Sequence, residues 1–190
     1  MTKVIFFLGR PGSGKGTQIK YLKEKTGFEV IETGELLRKK SLEDDFLAKK
    51  VKETLGRGGL IPTPLVFLIW MPRLVDFREK GVKGVIFDGN PRKFYEAKML
   101  EELFEMFEWN DIYALHLNIS PQEAKERLLL RKRSDDNEKD INARLEWFEE
   151  EVMPVINNYN KKNSLIEING EQSVEMVWKE IQEKLREVNI

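Results

Sequence analysis

The chain of 190 residues contains no cysteine, which excludes disulfide bonds, thiolate metal ligands and cysteine nucleophiles, and we expect no structural zinc. The net charge of −1 provides no excess positive charge, so we expect neither a nucleic acid nor an anionic membrane as partner. Long hydrophobic runs are missing as well, since Leu65–Met71, the longest, is too short to cross a bilayer. A strand-like run begins almost at once, so we expect no signal peptide and a soluble, cytoplasmic protein.

Short apolar runs alternate with long helical patterns. Runs at 3–8, 84–87, 112–118 and 164–168, with a shorter one near 28–31, are typical of buried strands. This alternation predicts an α/β fold, a three-layer sandwich in which a five-stranded parallel sheet carries helices on both faces. We expect one core domain over residues 1–190. Residues 32–61 show two helical patterns but hardly any strand of their own, which predicts a small helical insertion.

The most informative segment is the glycine-rich stretch Gly9–Thr17, which connects the first predicted strand to the first predicted helix. Glycines allow successive backbone N–H groups to point at phosphate oxygens, and a helix N-terminus adds partial positive charge. Lys15 adds a full charge, which an ordinary glycine-rich turn does not need. The stretch predicts a phosphate-binding loop of the P-loop type. Gly16 stands where a Ser or Thr usually follows the lysine, and a hydroxyl comes only at Thr17.

A carboxylate and several arginines provide the next signals. Asp88 ends a predicted strand, and beside a phosphate loop this position usually holds magnesium through water, although the following Gly, Asn and Pro also favour a simple turn. Arg127 and Arg131 share one helix face, and Arg133 and Arg144 follow. Guanidinium groups stabilise the charge of a phosphoryl group in transfer, whereas by themselves such residues are more often a solvated surface.

Together these segments resemble the adenylate kinase family of nucleoside monophosphate kinases, in the same order and over nearly the whole chain. The matching segments are Gly9–Gln18 (family GxPGxGKGTQ), Thr33–Arg38 (TGD(L/M)LR), Gly58–Pro62 (GxLVP), Asp88–Arg92 (DGFPR), Arg133–Asn137 with Arg144–Leu145 (GRxDD and a later arginine) and Asn169–Gly170 (DG). The resemblance implies reversible, magnesium-dependent transfer of a phosphoryl group from ATP to AMP, giving two ADP. Positioning and electrostatics would suffice for catalysis, without a protein nucleophile.

The resemblance also implies roles for individual residues. The catalytic residues would be Lys15, Arg38, Arg92, Arg131, Arg133, Arg144, Asp135 and Asp136. ATP would bind Gly12, Ser13, Gly14, Lys15, Gly16, Thr17, Arg127 and Gln172, with Arg127 stacked on its adenine. AMP would bind Thr33, Gly34, Arg38, Gly59, Ile61, Gly89, Arg92, Glu96, Arg133 and Arg144. Asp88 would hold Mg²⁺ through water, with Thr17 as a second candidate for the metal.

The chain departs from the family pattern at the lid. Family members place a loop or a small domain between the positions of Arg131 and Arg133, and here only Lys132 separates them. Residues 131–137 would therefore be a vestige of a lid. A lid excludes water from the phosphates, so we expect the insertion at 32–61 to do most of the closing. We also expect weaker ATP binding and more ATP hydrolysis without acceptor than in a relative with a lid.

The acceptor base is a second point of departure. Glu96 stands where AMP-selective members carry glutamine, and a carboxylate can accept from the 6-amino group of adenine but cannot donate to N1. Guanine, with two adjacent N–H donors, would suit a carboxylate better. We favour AMP as the acceptor, because the rest of the pattern is that of the family. GMP, CMP or UMP are alternative acceptors, and a nucleotide-binding module with little catalytic activity is an alternative function. The sequence leaves the oligomeric state open. Asn90 also departs from the family pattern, which has phenylalanine there. His116 and the four tryptophans are predicted to be packing residues.

Overall fold

The computed structural model describes residues 2–57, 59–131 and 138–190. Within these ranges the strands are β1 (Lys3–Leu8), β2 (Glu29–Glu32), β3 (Gly84–Asp88), β4 (Asp111–Asn118) and β5 (Leu165–Asn169). The α-helices in the same ranges are α1 (Lys15–Thr26), α2 (Thr33–Lys40), α3 (Phe46–Gly56), α4 (Thr63–Lys80), α5 (Phe94–Met106), α6 (Pro121–Arg131), α7 (Glu138–Trp147), α8 (Met153–Lys161) and α9 (Val174–Glu187). A π-helical turn, Phe148–Val152, joins α7 to α8.

All five strands run parallel in the order β2-β3-β1-β4-β5, which confirms the predicted sheet. β1 lies in the centre, between β3 and β4. The chain passes from β1 to β2 on one side and reaches β4 on the other, so the strand order reverses beside β1. In such sheets the crevice at the carboxyl ends of the strands is where ligands bind. The loop after β1 and the loop after β3 both open into this crevice.

Two hydrophobic layers cover the faces of the sheet, as a three-layer sandwich requires. In β1, Val4, Phe6 and Leu8 belong to the layer packed by α2, α3, α4, α5, α8 and the π-helical turn. Ile5 and Phe7 belong to the opposite layer, which α1 and α9 cover. The five β1 side chains are at most 1% exposed. Each buried side chain of this size contributes roughly 1.5–3 kcal/mol relative to an exposed one.

Polar side chains define where two helices begin. The sequence pattern predicts the insertion's second helix from about Asp44, but α3 starts at Phe46 because the side chain of Asp45 accepts from the backbone N–H of Ala48 at 2.7 Å. At α6, Ser120 caps the N–H of Glu123 at 3.3 Å. In a capping box, the side chain of Glu123 would accept from the backbone N–H of Ser120 in return. Here Glu123 pairs with Arg127 instead, and the Ser120 N–H donates to Glu171 at 2.7 Å.

α4, with 18 residues, is the longest of the described helices. Its apolar side chains, among them Val66, Trp70 and Leu74, pack on the sheet. Gly81 ends the helix with a left-handed φ of 61°, as its position in the sequence predicts. Across the three described ranges no helix combines the length and the apolar character that crossing a membrane requires.

Candidate active site

The glycine-rich loop between β1 and α1 turns through three glycines with positive φ, Gly9 (148°), Gly12 (87°) and Gly14 (91°). A Cβ on Gly9 would lie 2.6 Å from the carbonyl oxygen of Leu117, and one on Gly12 would lie 3.0 Å from that of Ala124. The loop therefore rests directly on the end of β4 and on α6. A Cβ on Gly14 or Gly16 would meet nothing within 4 Å, so the space above the start of α1 is open.

Lys15 lies across this loop. Its ammonium donates to the carbonyl oxygens of Gly9 (2.7 Å) and Arg10 (3.0 Å) and to the Ser13 hydroxyl (3.3 Å). The pKa of Lys15 is lowered to about 8, mainly by burial and to a smaller extent by the positive charges of Arg92 and Arg131, while the negative charge of Asp88 acts in the opposite direction. Lys15 is therefore a cation in a site that has an excess of positive charge, and an anion placed there would relieve that excess.

A cleft of about 240 Å³ opens beside the loop. It brings together residues from the phosphate loop, from α2 and α3, from the loop after β3, from the end of α6, and from α7 and the π-helical turn. The sequence predicts eight of these residues. The predicted residues that line it are Lys15, Gly34, Arg38, Gly59, Gly89, Arg92, Arg131 and Arg144. A cleft with one lysine and four arginines in its wall can hold several phosphate groups at once.

A smaller cavity of about 20 Å³ lies deeper, between α2, α4 and α5. Its wall includes five of the residues predicted to contact the acceptor: Thr33, Gly59, Ile61, Arg92 and Glu96. Thr33 and Glu96 are both 2% exposed. The Thr33 hydroxyl accepts from the indole N–H of Trp70 at 3.0 Å, and this bond fixes the orientation of the Thr33 side chain. The cavity shares Leu37, Leu55, Gly59, Leu60 and Arg92 with the large cleft.

Arg92 links the cleft and the cavity. Its Nε donates to the carbonyl oxygen of Gly89 at 3.0 Å, and its backbone N–H donates to Glu96 at 2.7 Å. Burial lowers the pKa of Arg92, opposed by Glu96 and Asp88. The guanidinium packs against the ring of Trp147, which also lines the cleft. The sequence predicts only a packing role for Trp147; its place three residues after Arg144, on the same helix face, is the signal that could have assigned it to the site.

The loop residue Arg10 is a second feature that sequence reasoning missed. Its guanidinium donates to the Ile119 carbonyl (2.6 Å) and makes two contacts with one Glu149 oxygen (2.9 and 2.5 Å). The same group lies 5.0 Å from the Phe148 ring centroid. Arg10 thus connects the phosphate loop to the π-helical turn.

Asp88 ends β3 next to Glu32 of β2. The pKa of Glu32 is raised, first by burial and then by the negative charges of Glu35 and Asp88. Among the described residues there is no group of three or more acidic, histidine or cysteine side chains placed to hold a metal ion. Two neighbouring strand-end carboxylates without a full ligand set suit a hydrated Mg²⁺ that arrives with phosphates, because this ion keeps most of its waters.

Some predicted residues do not line the cleft. Arg127 donates to Glu123 at 2.6 Å, and Gln172 donates to the Asn169 carbonyl oxygen at 3.1 Å. The two segments are neighbours, because Glu171, which precedes Gln172, accepts from the backbone N–H of Ser120 just before α6, the helix that carries Arg127. Arg133, Asp135, Asp136 and the rest of the expected vestigial lid after Arg131 lie outside the described residues. His116 is 3% exposed in β4, and as expected it is buried in the fold.

Comparison with known proteins identifies related sequences. The protein family described as adenylate kinase matches residues 7–164. An adenylate kinase of Prochlorococcus marinus (strain MIT 9515) is 36% identical over 185 residues, covering 97% of this chain and 100% of the relative. An adenylate kinase of Azobacteroides pseudotrichonymphae is 38% identical over 187 residues (95% and 96%), and adenylate kinase 1 of Nostoc sp. PCC 7120 is 37% identical over 185 residues (97% and 99%).

Proposed function

The chain belongs to the adenylate kinase family and is a nucleoside monophosphate kinase, and we propose that it transfers the γ-phosphoryl group of ATP to AMP in the cleft beside the phosphate loop. The observation that carries this assignment is the wall of that cleft. Lys15 stands on the donor side and Arg38 and Arg92 on the acceptor side, with Arg131 and Arg144 completing the lining. Binding a single nucleotide would not require cations on both sides of one cleft.

On the donor side, the β- and γ-phosphates of ATP bind the loop amides of Gly12–Thr17 and the ammonium of Lys15. The phosphate oxygens replace the carbonyl oxygens of Gly9 and Arg10 as partners of Lys15. The N-terminus of α1 adds partial positive charge at the same place. The adenine of ATP stacks on Arg127, next to Gln172. The bond from Arg127 Nε to Glu123 lies in the guanidinium plane, so it leaves the flat face open for stacking.

On the acceptor side, the AMP phosphate binds Arg38 and Arg92, and the base enters the inner cavity near Thr33 and Glu96. At about 20 Å³ this cavity holds no more than a water molecule, so a purine enters only when the wall formed by Leu55 and Leu60 moves outward. We therefore propose that α2 and α3, within residues 32–61, form the monophosphate-binding insertion. Their opening and closing then controls access to the acceptor site.

Members of this family use Mg²⁺ with ATP, and Asp88 is the residue that we propose holds the ion, through water. Gly16 has no hydroxyl to offer, and the hydroxyl-bearing Thr17 is exposed at the start of α1. When bound, Mg²⁺ neutralises charge on the β- and γ-phosphates.

The chemistry needs no protein nucleophile. A phosphate oxygen of AMP attacks the γ-phosphorus of ATP, and the bond to the oxygen that bridges the β- and γ-phosphorus breaks, leaving two ADP. Lys15, Arg131 and Arg144 stabilise the charge on the transferred group, and we propose Arg133, Asp135 and Asp136 as further participants from sequence alone. The cytoplasmic location stays a prediction, and the oligomeric state stays open.

The proposal is tested by measuring ADP formation from ATP with AMP, GMP, CMP or UMP as acceptor. We expect AMP to be the best acceptor. Lys15→Met and Arg92→Ala should each reduce kcat/KM by at least about a hundredfold, because each removes a cation that contacts phosphate. Lys20→Met, on an exposed position of α1, is the matched control and should leave the rate unchanged. Nucleotide binding without turnover on any acceptor would instead favour a binding module.

A further inference from the structure

Glu96 is unusually well supplied with hydrogen-bond donors for a side chain that is 2% exposed. Its Oε2 accepts from the backbone N–H of Arg92 (2.7 Å) and from the side-chain amide of Asn90 (3.3 Å). Its Oε1 has only the Thr63 hydroxyl, at the long distance of 3.5 Å. One oxygen is therefore fully engaged inside the protein, while the other keeps most of its capacity to accept.

Asn90 sits beside this carboxylate and lines the same inner cavity. It is 1% exposed, and its Nδ2 is held by Glu96. Its Oδ1 has no hydrogen-bond partner among the described residues. A buried amide oxygen left unpaired destabilises the fold, so in a functional pocket such an atom indicates a ligand that brings an N–H donor.

The inner cavity therefore offers two acceptors, Oδ1 of Asn90 and Oε1 of Glu96. The 6-amino group of adenine carries two hydrogens and can donate to both. Hypoxanthine has an oxygen at this position, which would face two acceptors, and uracil has a single N–H between two carbonyl groups. Guanine, with neighbouring donors at N1 and the 2-amino group, and cytosine, whose 4-amino group also carries two hydrogens, are the competing bases.

We propose that Asn90 is a specificity-determining residue that, with Glu96, recognises the exocyclic 6-amino group of the acceptor nucleotide. The bond from Asn90 Nδ2 to Glu96 fixes the amide so that Oδ1 is presented to the base. This inference rests on the proposed function, because it concerns the base of the acceptor in the same site. It assigns to Asn90 a role that the sequence alone did not give it.

The test compares purine acceptors that carry different groups at the 6-position. ADP formation from ATP is measured with AMP, with IMP, with GMP and with purine riboside 5′-monophosphate, which lacks the 6-amino group, for the wild-type chain and for Asn90→Leu. We expect the wild type to prefer AMP over the 6-unsubstituted analogue by at least about tenfold in kcat/KM, since each hydrogen bond to a buried polar group is worth about a factor of ten. In Asn90→Leu this ratio should fall by about tenfold, mainly through the KM for AMP, with the KM for ATP unchanged.

Tyr95→Leu is the matched control, because Tyr95 lies next to Glu96 on α5 but is 65% exposed, and it should keep the wild-type ratio. If Asn90→Leu does not fold, the same ratio of AMP to the 6-unsubstituted analogue is measured for Asn90→Ala and compared with that of the wild type. An unchanged AMP preference in both variants, or a wild type that prefers GMP, would overturn the role of Asn90. Absence of ADP formation with every nucleotide would instead overturn the proposed function, so the two failures are distinct.

Discussion

The guanidinium carbon of Arg92 lies 5.4 Å from the centroid of the Trp147 ring, inside the cleft that we assign to the two phosphates. The ring packs against the guanidinium, and the Nε of Arg92 donates to the carbonyl oxygen of Gly89. A cation over an aromatic ring gains about 0.5–2 kcal/mol, depending on how well it is desolvated. Trp147 is thus a positioning residue for Arg92.

Replacing Trp147 should therefore impair acceptor binding in a graded way. We expect Trp147→Leu to raise the KM for AMP by about threefold to tenfold, from the lost cation–π energy. Trp147→Phe keeps an aromatic face and should stay within about twofold of wild type. Steady-state kinetics with AMP varied at saturating ATP provides the measurement. Equal losses in the Phe and Leu variants would show that the ring acts by volume alone.

Affinity for ATP should decline as the pH rises above about 8. The pKa of Lys15, lowered by burial, means that the ligand-free protein holds this ammonium below that pH and loses its proton above it. Bound phosphates favour the charged form, so at a pH about one unit higher binding should take up a proton. Calorimetry in two buffers of different ionisation enthalpy measures this uptake. Lys15→Met should abolish the uptake, and a wild type that takes up no proton there would refute the assignment.

The contact between Arg10 and Glu149 should stabilise the loop. Arg10 has 11% of its side chain exposed and Glu149 has 47%, so we expect Arg10→Met to lower the free energy of unfolding by only about 1 kcal/mol. The loop also loses its bond to Ile119, so the KM for ATP should rise by a few fold. Urea unfolding of Arg10→Met, Glu149→Gln and the double variant isolates the pairwise energy. Strictly additive effects would mean that the ion pair contributes nothing.

Acid should destabilise the fold through His116. Burial lowers its pKa from 6.5 to about 4, and both ring nitrogens lack partners among the described residues. Between these two values the unfolded chain binds a proton that the folded chain does not, so stability falls as the pH falls, by about 3 kcal/mol in all. His116→Leu should remove this part of the slope. Urea unfolding of both proteins at neutral pH and at about pH 4.5 tests it; parallel changes in the two would contradict it.

The short connection between Arg131 and Arg133 leads to a prediction from sequence alone. With so little chain to cover the phosphates, we expect more ATP hydrolysis in the absence of AMP than in a relative that has a lid. Phosphate release from ATP alone, relative to the kinase rate of each enzyme, is the quantity to compare. Similar ratios in the two enzymes would mean that other parts of this chain exclude water.

The sheet and the phosphate loop are predictable from the sequence because both depend on local patterns. A run such as Val4–Leu8 is typical of a buried strand in a chain of this composition, and the glycines of the loop have few other uses. The roles of Arg10 and Trp147 depend on contacts between distant segments; Arg10 and Glu149 are 139 positions apart. Asn90 stands out in the sequence only as a departure from the family pattern, whereas its importance lies in an unpaired oxygen that the three-dimensional arrangement reveals.

The central position of β1 has a consequence for how the protein opens. The phosphate loop continues directly from a strand whose five apolar side chains are at most 1% exposed, whereas the insertion carries exposed side chains such as Leu42 (86%) and Phe46 (70%). Amide hydrogens of β1 should therefore exchange with solvent only in global unfolding, and those of α2 and α3 in local fluctuations. We therefore expect the half of the site that we assign to ATP to rest on a slowly exchanging strand, and the half that we assign to AMP to rest on helices that exchange faster.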